Sequence, residues 1–439
     1  MAADLVPGAR VLLLIVLGAP ILYALSRAGR MTGERFLFNG ARTSRLATAA
    51  SVVCGNVGIG TFVAIYLFTQ SSALIGLSIV AAYSLGLLVC ALLARRIHDA
   101  ARTEGTFGLV DFIAARHGMA NPLLIWLPVA LVFLLRTAVQ FIALALILSS
   151  IFPVDFPVAV GLAVFLAGAY VAIGGYEAAT QTDKAQAVLI CAGVLVVVWA
   201  AAASGGVAEA PRLDDLGPYS PALLAGIWLF LPLGPVLSID NWQRIATASS
   251  PATARDGYLL ALPVCLAIYA AIAFVALAGG TGGDGGDVQA RLRAVVPEGY
   301  GLVVDVMLLC AIVSTIDTVV LPLAATLARR AASLLLMRGV VVAVFAVVAA
   351  VAITLGDILT GVIAAFNTLA VFLPATFAAM RLVDLRPAAA ILSLNVGVAT
   401  TLALSVVALE LAAFGGFVVS AALYAAVHRV GRSARPGGT

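Results

Sequence analysis

Four oxygen-bearing side chains fall within five consecutive positions of one long apolar run: Ser314, Thr315, Asp317 and Thr318, inside Cys310-Ala311-Ile312-Val313-Ser314-Thr315-Ile316-Asp317-Thr318. A lone hydroxyl in an apolar helix ordinarily bonds the carbonyl one turn back. Four oxygens together suit another chemistry. A hard cation takes oxygen ligands, and hydroxyls with backbone carbonyls supply them without full charges. A second interruption is Cys54-Gly55-Asn56-Val57-Gly58-Ile59-Gly60. Glycine costs about 1 kcal/mol against alanine in a helix interior. Two readings stand: small residues let helices pack closely, or the helix breaks and its freed carbonyls line a cavity. A third interruption, Leu231-Pro232-Leu233-Gly234-Pro235, predicts a kink or unwinding.

Arg136 lies in the middle of Phe133-Leu134-Leu135-Arg136-Thr137-Ala138-Val139-Gln140. A charge at a bilayer centre costs about 2.5–3.5 kcal/mol even on the lenient scale, so it faces a partner or a cavity. It is read either as an ion pair with Asp240 or Asp305, or as an anchor for a solute carboxylate, which its planar fork suits. Gln140, one turn on, shares its face. Asn56 is placed against solute or against the opposing helix. The five cysteines (Cys54, Cys90, Cys191, Cys265 and Cys310) all lie in apolar stretches and read as small buried hydrophobes. The three histidines are scattered, and neither metal spacing nor a nucleophile–base pair appears, so an enzyme is not expected.

These residues need elements to hold them, and the composition says which. Of 439 residues 63% are hydrophobic and only 10% charged, far from the balance of a water-soluble domain. Lipid is therefore the expected solvent. About thirteen runs are long enough to span a bilayer. The second covers residues 46–69, the fifth 157–175, the sixth 185–203, the seventh 221–240 and the ninth 301–328. The first, at 11–28, is read as a retained helix rather than a cleaved signal. The split of the last two, 388–407 and 408–428, has almost no loop.

Alternating the loops between two faces puts 20 of the 25 basic residues on one side and 4 on the other, with Arg136 inside a helix. The positive-inside rule then places the N-terminus outside and the C-terminus in the cytoplasm of a bacterial-type inner membrane. The net charge of +4 comes from short loops, not from a basic face, so nucleic acid is not an expected partner. The polar stretches, at 95–121, 204–220 and 280–300, are too short for a soluble catalytic domain. A phosphate-binding GxxxxGK[ST] loop is absent, which argues against ATP-driven transport. The interruptions fall in the second and seventh runs, five apart. Paired broken helices point to inverted repeats with a site at the midplane, here about residues 44–204 and 221–381.

The segment Tyr170, Gly174-Gly175, Ala178, Thr182-Asp183 and Gln186 resembles the "Y-x-x-x-GG-x-x-A-x-x-x-TD-x-x-Q" motif of the sodium:solute symporter family. Ala311 to Thr318 resembles its "A-x-x-ST-x-D-[ST]" segment, and Gln243-Arg244 its "QR". The resemblance covers about residues 32–380. It implies a LeuT-type fold: an all-α polytopic membrane protein with a 5+5 inverted repeat, one extra N-terminal helix and two extra C-terminal ones.

It further implies a Na⁺ site made of the carbonyls of Cys54, Val57 and Ala311 with the hydroxyls of Ser314 and Thr315. Asp183 matches an aspartate near the ion's inner exit; its plainer reading is a solvated loop carboxylate beside Lys184. Aromatic residues that surround the seventh-helix break in sugar and proline carriers are not matched, although Trp228 and Phe230 stand just before it. Both are carried as solute contacts with Asn56, Arg136 and Gln140.

The reading is thus a Na⁺-coupled symporter of a small organic solute, working by alternating access in the lipid bilayer without an obligatory protein partner. The alternatives are a proton-coupled or uncoupled carrier on the same fold, in which Asp183 or Asp317 titrates, and a transporter-like solute sensor.

Overall fold

A computed structural model describes residues 7–205, 212–278, 288–355, 358–381 and 384–433. The loops at 204–220 and 280–300 and the basic Arg435 therefore lie partly or wholly outside the described residues. The described chain is helical throughout. In order it forms α1 (Pro7–Arg27), α2 (Gly33–Phe38), α3 (Arg45–Asn56), α4 (Ile59–Ser71), α5 (Ala73–Glu104), α6 (Leu109–Arg116), α7 (Leu123–Ile151), α8 (Phe156–Ala203), α9 (Pro221–Phe230) and α10 (Gly234–Leu237). There follow α11 (Ile239–Thr247), α12 (Pro251–Ala278), α13 (Val288–Val295), α14 (Gly301–Ala328), α15 (Leu334–Leu355), α16 (Ile358–Leu369), α17 (Leu373–Arg381), α18 (Pro387–Val407) and α19 (Ala412–Ser433).

Nine of the described helices are long and apolar enough to cross a membrane, or eleven when each bent pair counts as one span. That is fewer than the thirteen runs of the sequence. One difference is local and physical. The fifth and sixth runs are not separated by a loop: α8 is a 48-residue element that turns sharply at Gly175, at φ 54° and ψ −147°. A Cβ there would stand 2.2 Å from the Phe36 carbonyl oxygen, so only glycine permits both the conformation and the approach.

Both runs are broken, the first where anticipated and the second just beyond the anticipated Leu231–Pro235 stretch. α3 and α4 meet at a 54° bend, and the stretch from Pro221 to Leu237 meets α11 at 46°. At the first, Val57 leaves helical geometry and Gly58 is extended. At the second, the Pro-Gly stretch does not carry the discontinuity. Leu231–Leu233 tightens into a 3-10 turn, α10 follows, and the extended residue is Ser238. The free ends of α3 and α11 are tied together where Thr43 pairs with Ala248, the Thr43 amide donating to the Thr247 carbonyl at 3.1 Å. α14 packs against α3, α7, α8 and α15 and is buried along nearly its whole length, so its hydroxyls face protein rather than lipid.

Candidate functional site

The α3–α4 break leaves main-chain groups without intrahelical partners, and α14 brings oxygens to them. Ser314 Oγ donates to the Cys54 carbonyl at 3.3 Å and to the Ala311 carbonyl at 3.2 Å. Thr315 Oγ1 reaches the same two carbonyls at 3.2 and 2.8 Å. All four residues are essentially buried. Among the described residues the Val57 carbonyl accepts no hydrogen bond, and Val57 is wholly buried. The next residue, Gly58, lies so near that its Cβ would stand 2.5 Å from Thr315 Oγ1. Two carbonyls and two hydroxyls therefore converge in a buried place, and the Val57 carbonyl three residues beyond Cys54 is left unsatisfied. This uncharged, all-oxygen donor set fits a hard monovalent cation.

Asn56 is held by the opposing helix. Its amide donates to the Val52 carbonyl at 2.8 Å and to Asn241 Oδ1 at 3.3 Å, and its Oδ1 accepts from the Tyr83 hydroxyl at 3.1 Å. Its main-chain carbonyl, freed by the break, accepts from Tyr269 Oη at 2.9 Å and Thr61 Oγ1 at 3.1 Å. Asn241 is fixed in turn by Tyr258 Oη at 2.7 Å and by its own bond to the Pro235 carbonyl at 3.0 Å. Two asparagines thus join the two broken helices face to face, with tyrosines satisfying them.

Arg136 Nη1 donates to Ser238 Oγ at 2.9 Å and stands 3.7 Å from Asp240 Oδ1. Ser238 also bonds Asp240 directly. Asp305, the other partner considered, belongs instead to Arg293 and Gln289. Asp240 is shared: Arg244 Nη1 holds its other oxygen at 2.6 Å. Arg244 read as a loop cation in the sequence, yet α11 carries it inward until it is 1% exposed. Its guanidinium lies where a Gly55 side chain would be, with Nη2 only 1.6 Å from that Cβ position. Two guanidiniums share this one buried carboxylate, and Arg136 Nε and Nη2 carry no hydrogen bond among the described residues.

Arg136 lines a small cavity of about 10 Å³ with Gln140, Gly58, Thr61, Thr315 and Phe366, room for about one water-sized particle. Gln140 Oε1 accepts from the Ile59 amide at 3.2 Å, which satisfies the first free donor of α4. A larger cavity of about 100 Å³ adjoins it, sharing Thr61 and Phe366, and is otherwise mainly apolar. Phe230 belongs to this second wall. Trp228 does not fit the expected role: it is half-exposed on the outside of α9 and lines neither cavity.

Asp183 is not a solvated loop residue. It is fully buried within α8, and neither of its carboxylate oxygens has a hydrogen-bond partner. Its carbonyl accepts from the Cys54 thiol at 3.2 Å, while Lys184 bonds Gln181. Asp317 likewise keeps one oxygen unpartnered, the other accepting from the Tyr170 hydroxyl. Sequence reasoning missed Tyr83, Ser238, Asn241, Tyr258, Tyr269 and Phe366. Of these, only the polar cluster from Ser238 to Arg244 within an apolar run carried a signal.

The sequence matches the Sodium:solute symporter family over residues 36–330. The chain belongs to that family. No curated protein matches it. Among solved structures, this family member is similar to a Na⁺-coupled sialic acid symporter in a substrate-bound outward-open state, with TM-score 0.77, 16% identity and coverage of 96% of this chain and 98% of that one. It also resembles a nucleobase-cation-symport-1 family transporter in a closed conformation with bromovinylhydantoin bound, with TM-score 0.57, 14% identity, and 91% and 95% covered. A mutant manganese transporter of Eremococcus coleocola follows at TM-score 0.54 and 16% identity, over 89% and 96% of the two chains. At such identities the likeness shows the fold: the family member is a multi-pass membrane protein of the LeuT type.

Proposed function

We propose that this protein is a Na⁺-coupled symporter of a small solute bearing a carboxylate. The observation that carries the reading is the convergence of the Ser314 and Thr315 hydroxyls on the Cys54 and Ala311 carbonyls at the break between α3 and α4. Cys54, Val57, Ala311, Ser314 and Thr315 would hold the ion. Bound there, Na⁺ supplies a fixed positive charge that ties the broken helix to α14. Asp183, buried next to Cys54 and without a hydrogen-bond partner, is the candidate carboxylate on the ion's route out.

Arg136 is assigned the solute carboxylate. The unused Nε and Nη2 donors of Arg136 support this, because a guanidinium fork takes a carboxylate bidentately. Gln140 holds the start of α4 beside it, and Phe230 and Phe366 supply apolar wall. Asn56 is assigned to joining the two broken helices rather than to solute. The repeats are taken as residues 44–204 and 221–381, with one helix before and two after. The N-terminus is taken as outside and the C-terminus as cytoplasmic in the inner membrane.

The test is thermal stability and uptake in liposomes, against small carboxylates, amino acids, sugars and urea, each in Na⁺ and in choline. A carboxylate that shifts melting only with Na⁺ supports the reading. A hit indifferent to Na⁺ but driven by a pH gradient would replace it with a proton-coupled carrier. Binding without uptake would indicate a sensor.

A further inference from the structure

α9 continues through a 3-10 turn and α10 as one arm of the second broken span, and this arm joins α11 only through the extended Ser238, where the span bends by 46°. Such a connection does not fix the angle of α9 the way a continuous helix would. Part of α9 is exposed, including Trp228 and Leu229, and its inner side walls the larger cavity through Leu223, Gly226, Ile227 and Phe230. Something else must hold it over that cavity.

The two helices beyond the repeats do so. Between α18 and α19 the 3-10 turn Leu409–Leu411 carries Glu410. Its carboxylate accepts from the Ser220 amide, at 3.3 Å to Oε2 and 3.5 Å to Oε1, and from the Ser220 hydroxyl. Ser220 is the N-cap of α9, yet its side chain makes no capping bond, and Pro221 follows it with no N–H. The positive end of the helix is therefore met by a carboxylate from another part of the chain, a favourable arrangement. The same turn is anchored to α16, where Asn367 Nδ2 donates to the Leu409 carbonyl at 3.0 Å. At the other end of α9, Phe230 packs on Phe414 and Phe417 at ring separations of 5.0 and 5.4 Å. Glu410 is also the one charged side chain among the described residues lining the larger cavity.

We propose that Glu410 is a positioning residue for transport: through Ser220 it latches α9 closed over the larger cavity, so that opening this mouth requires the bond to break. The proposal rests on the alternating-access reading above. Losing a charge-assisted hydrogen bond shifts a two-state opening by roughly tenfold.

The experiment places a reporter, Ala64→Cys, on the cavity wall, and a control, Ala325→Cys, in buried α14. Labelling by a membrane-impermeant maleimide is timed in proteoliposomes and corrected by the protein without a reporter. Glu410→Gln and Ser220→Ala should each raise labelling at Ala64→Cys, the first by roughly tenfold, and leave Ala325→Cys unchanged. Glu410→Asp should fall between Glu410→Gln and the parent. Parent-rate labelling in both variants overturns the latch, as does an equal rise at both reporters, which would signal general loosening. The parent is run in Na⁺ and in choline as well. Labelling indifferent to Na⁺ counts against symport, while the variants still decide the latch.

Discussion

Thr315 Oγ1 lies 3.2 Å from the Cys54 carbonyl oxygen, across 261 residues of sequence. The carbonyl lacks an intrahelical partner because the helix ends two residues later, and the hydroxyl is buried because α14 packs among α3, α7, α8 and α15. Neither residue is charged, and neither is unusual alone. Their meeting makes the site.

Removing either hydroxyl should therefore remove the ion's effect on stability. A ligand at a hundred times its Kd stabilises a fold by about 2.7 kcal/mol. Ser314→Ala and Thr315→Ala should each lose most of the melting shift between Na⁺ and choline, whereas Thr315→Ser keeps the oxygen and should keep most of the shift. An undiminished shift in the double alanine variant would move the ion elsewhere.

Gly58→Ala should act on the same site through space. Its Cβ would meet Thr315 Oγ1 at 2.5 Å, so the hydroxyl must turn away from the Cys54 carbonyl. We expect a fold that survives, with a loss of about 1–3 kcal/mol, and a strongly weakened Na⁺ response in the same melting assay.

The shared carboxylate predicts an asymmetry. Asp240→Asn removes the carboxylate that Arg136 and Arg244 share and should destabilise by about 3–5 kcal/mol. Arg136→Gln leaves Asp240 paired with Arg244 at 2.6 Å and should cost about 1 kcal/mol. Arg136→Gln should nonetheless abolish any carboxylate-dependent melting shift, which Arg136→Lys, lacking the planar fork, should restore only in part. Equal destabilisation by Asp240→Asn and Arg136→Gln would refute the sharing.

The two aromatics before the seventh-run break should separate. Phe230 is buried against Phe414 and Phe417, so Phe230→Ala should cost about 3 kcal/mol or more by thermal unfolding. Trp228 is half-exposed, so Trp228→Ala should leave solute-dependent melting unchanged.

Much of this was legible in the sequence, because apolar length and interruption are local properties. The run of hydroxyls at Ser314 and Thr315, the glycine-rich break at Cys54 to Gly60 and the lone Arg136 stand out from their apolar surroundings without a fold. The resemblance then named the carbonyls. What the sequence could not contain was distance. One of its two readings made Asp183 a solvated loop carboxylate beside Lys184, whereas α8 runs straight through them after turning at Gly175 and buries the carboxylate. It put Arg244 at a loop because it follows Asp240, whereas α11 carries both inward. It left the protein partners of Asn56 and Arg136 open. Tertiary packing supplied them, since only the approach of two broken helices sets Asn56 against Asn241, and Asp240 rather than Asp305 beside Arg136. Composition determined the solvent and the period of the helices; the meeting of groups hundreds of residues apart depended on how those helices pack.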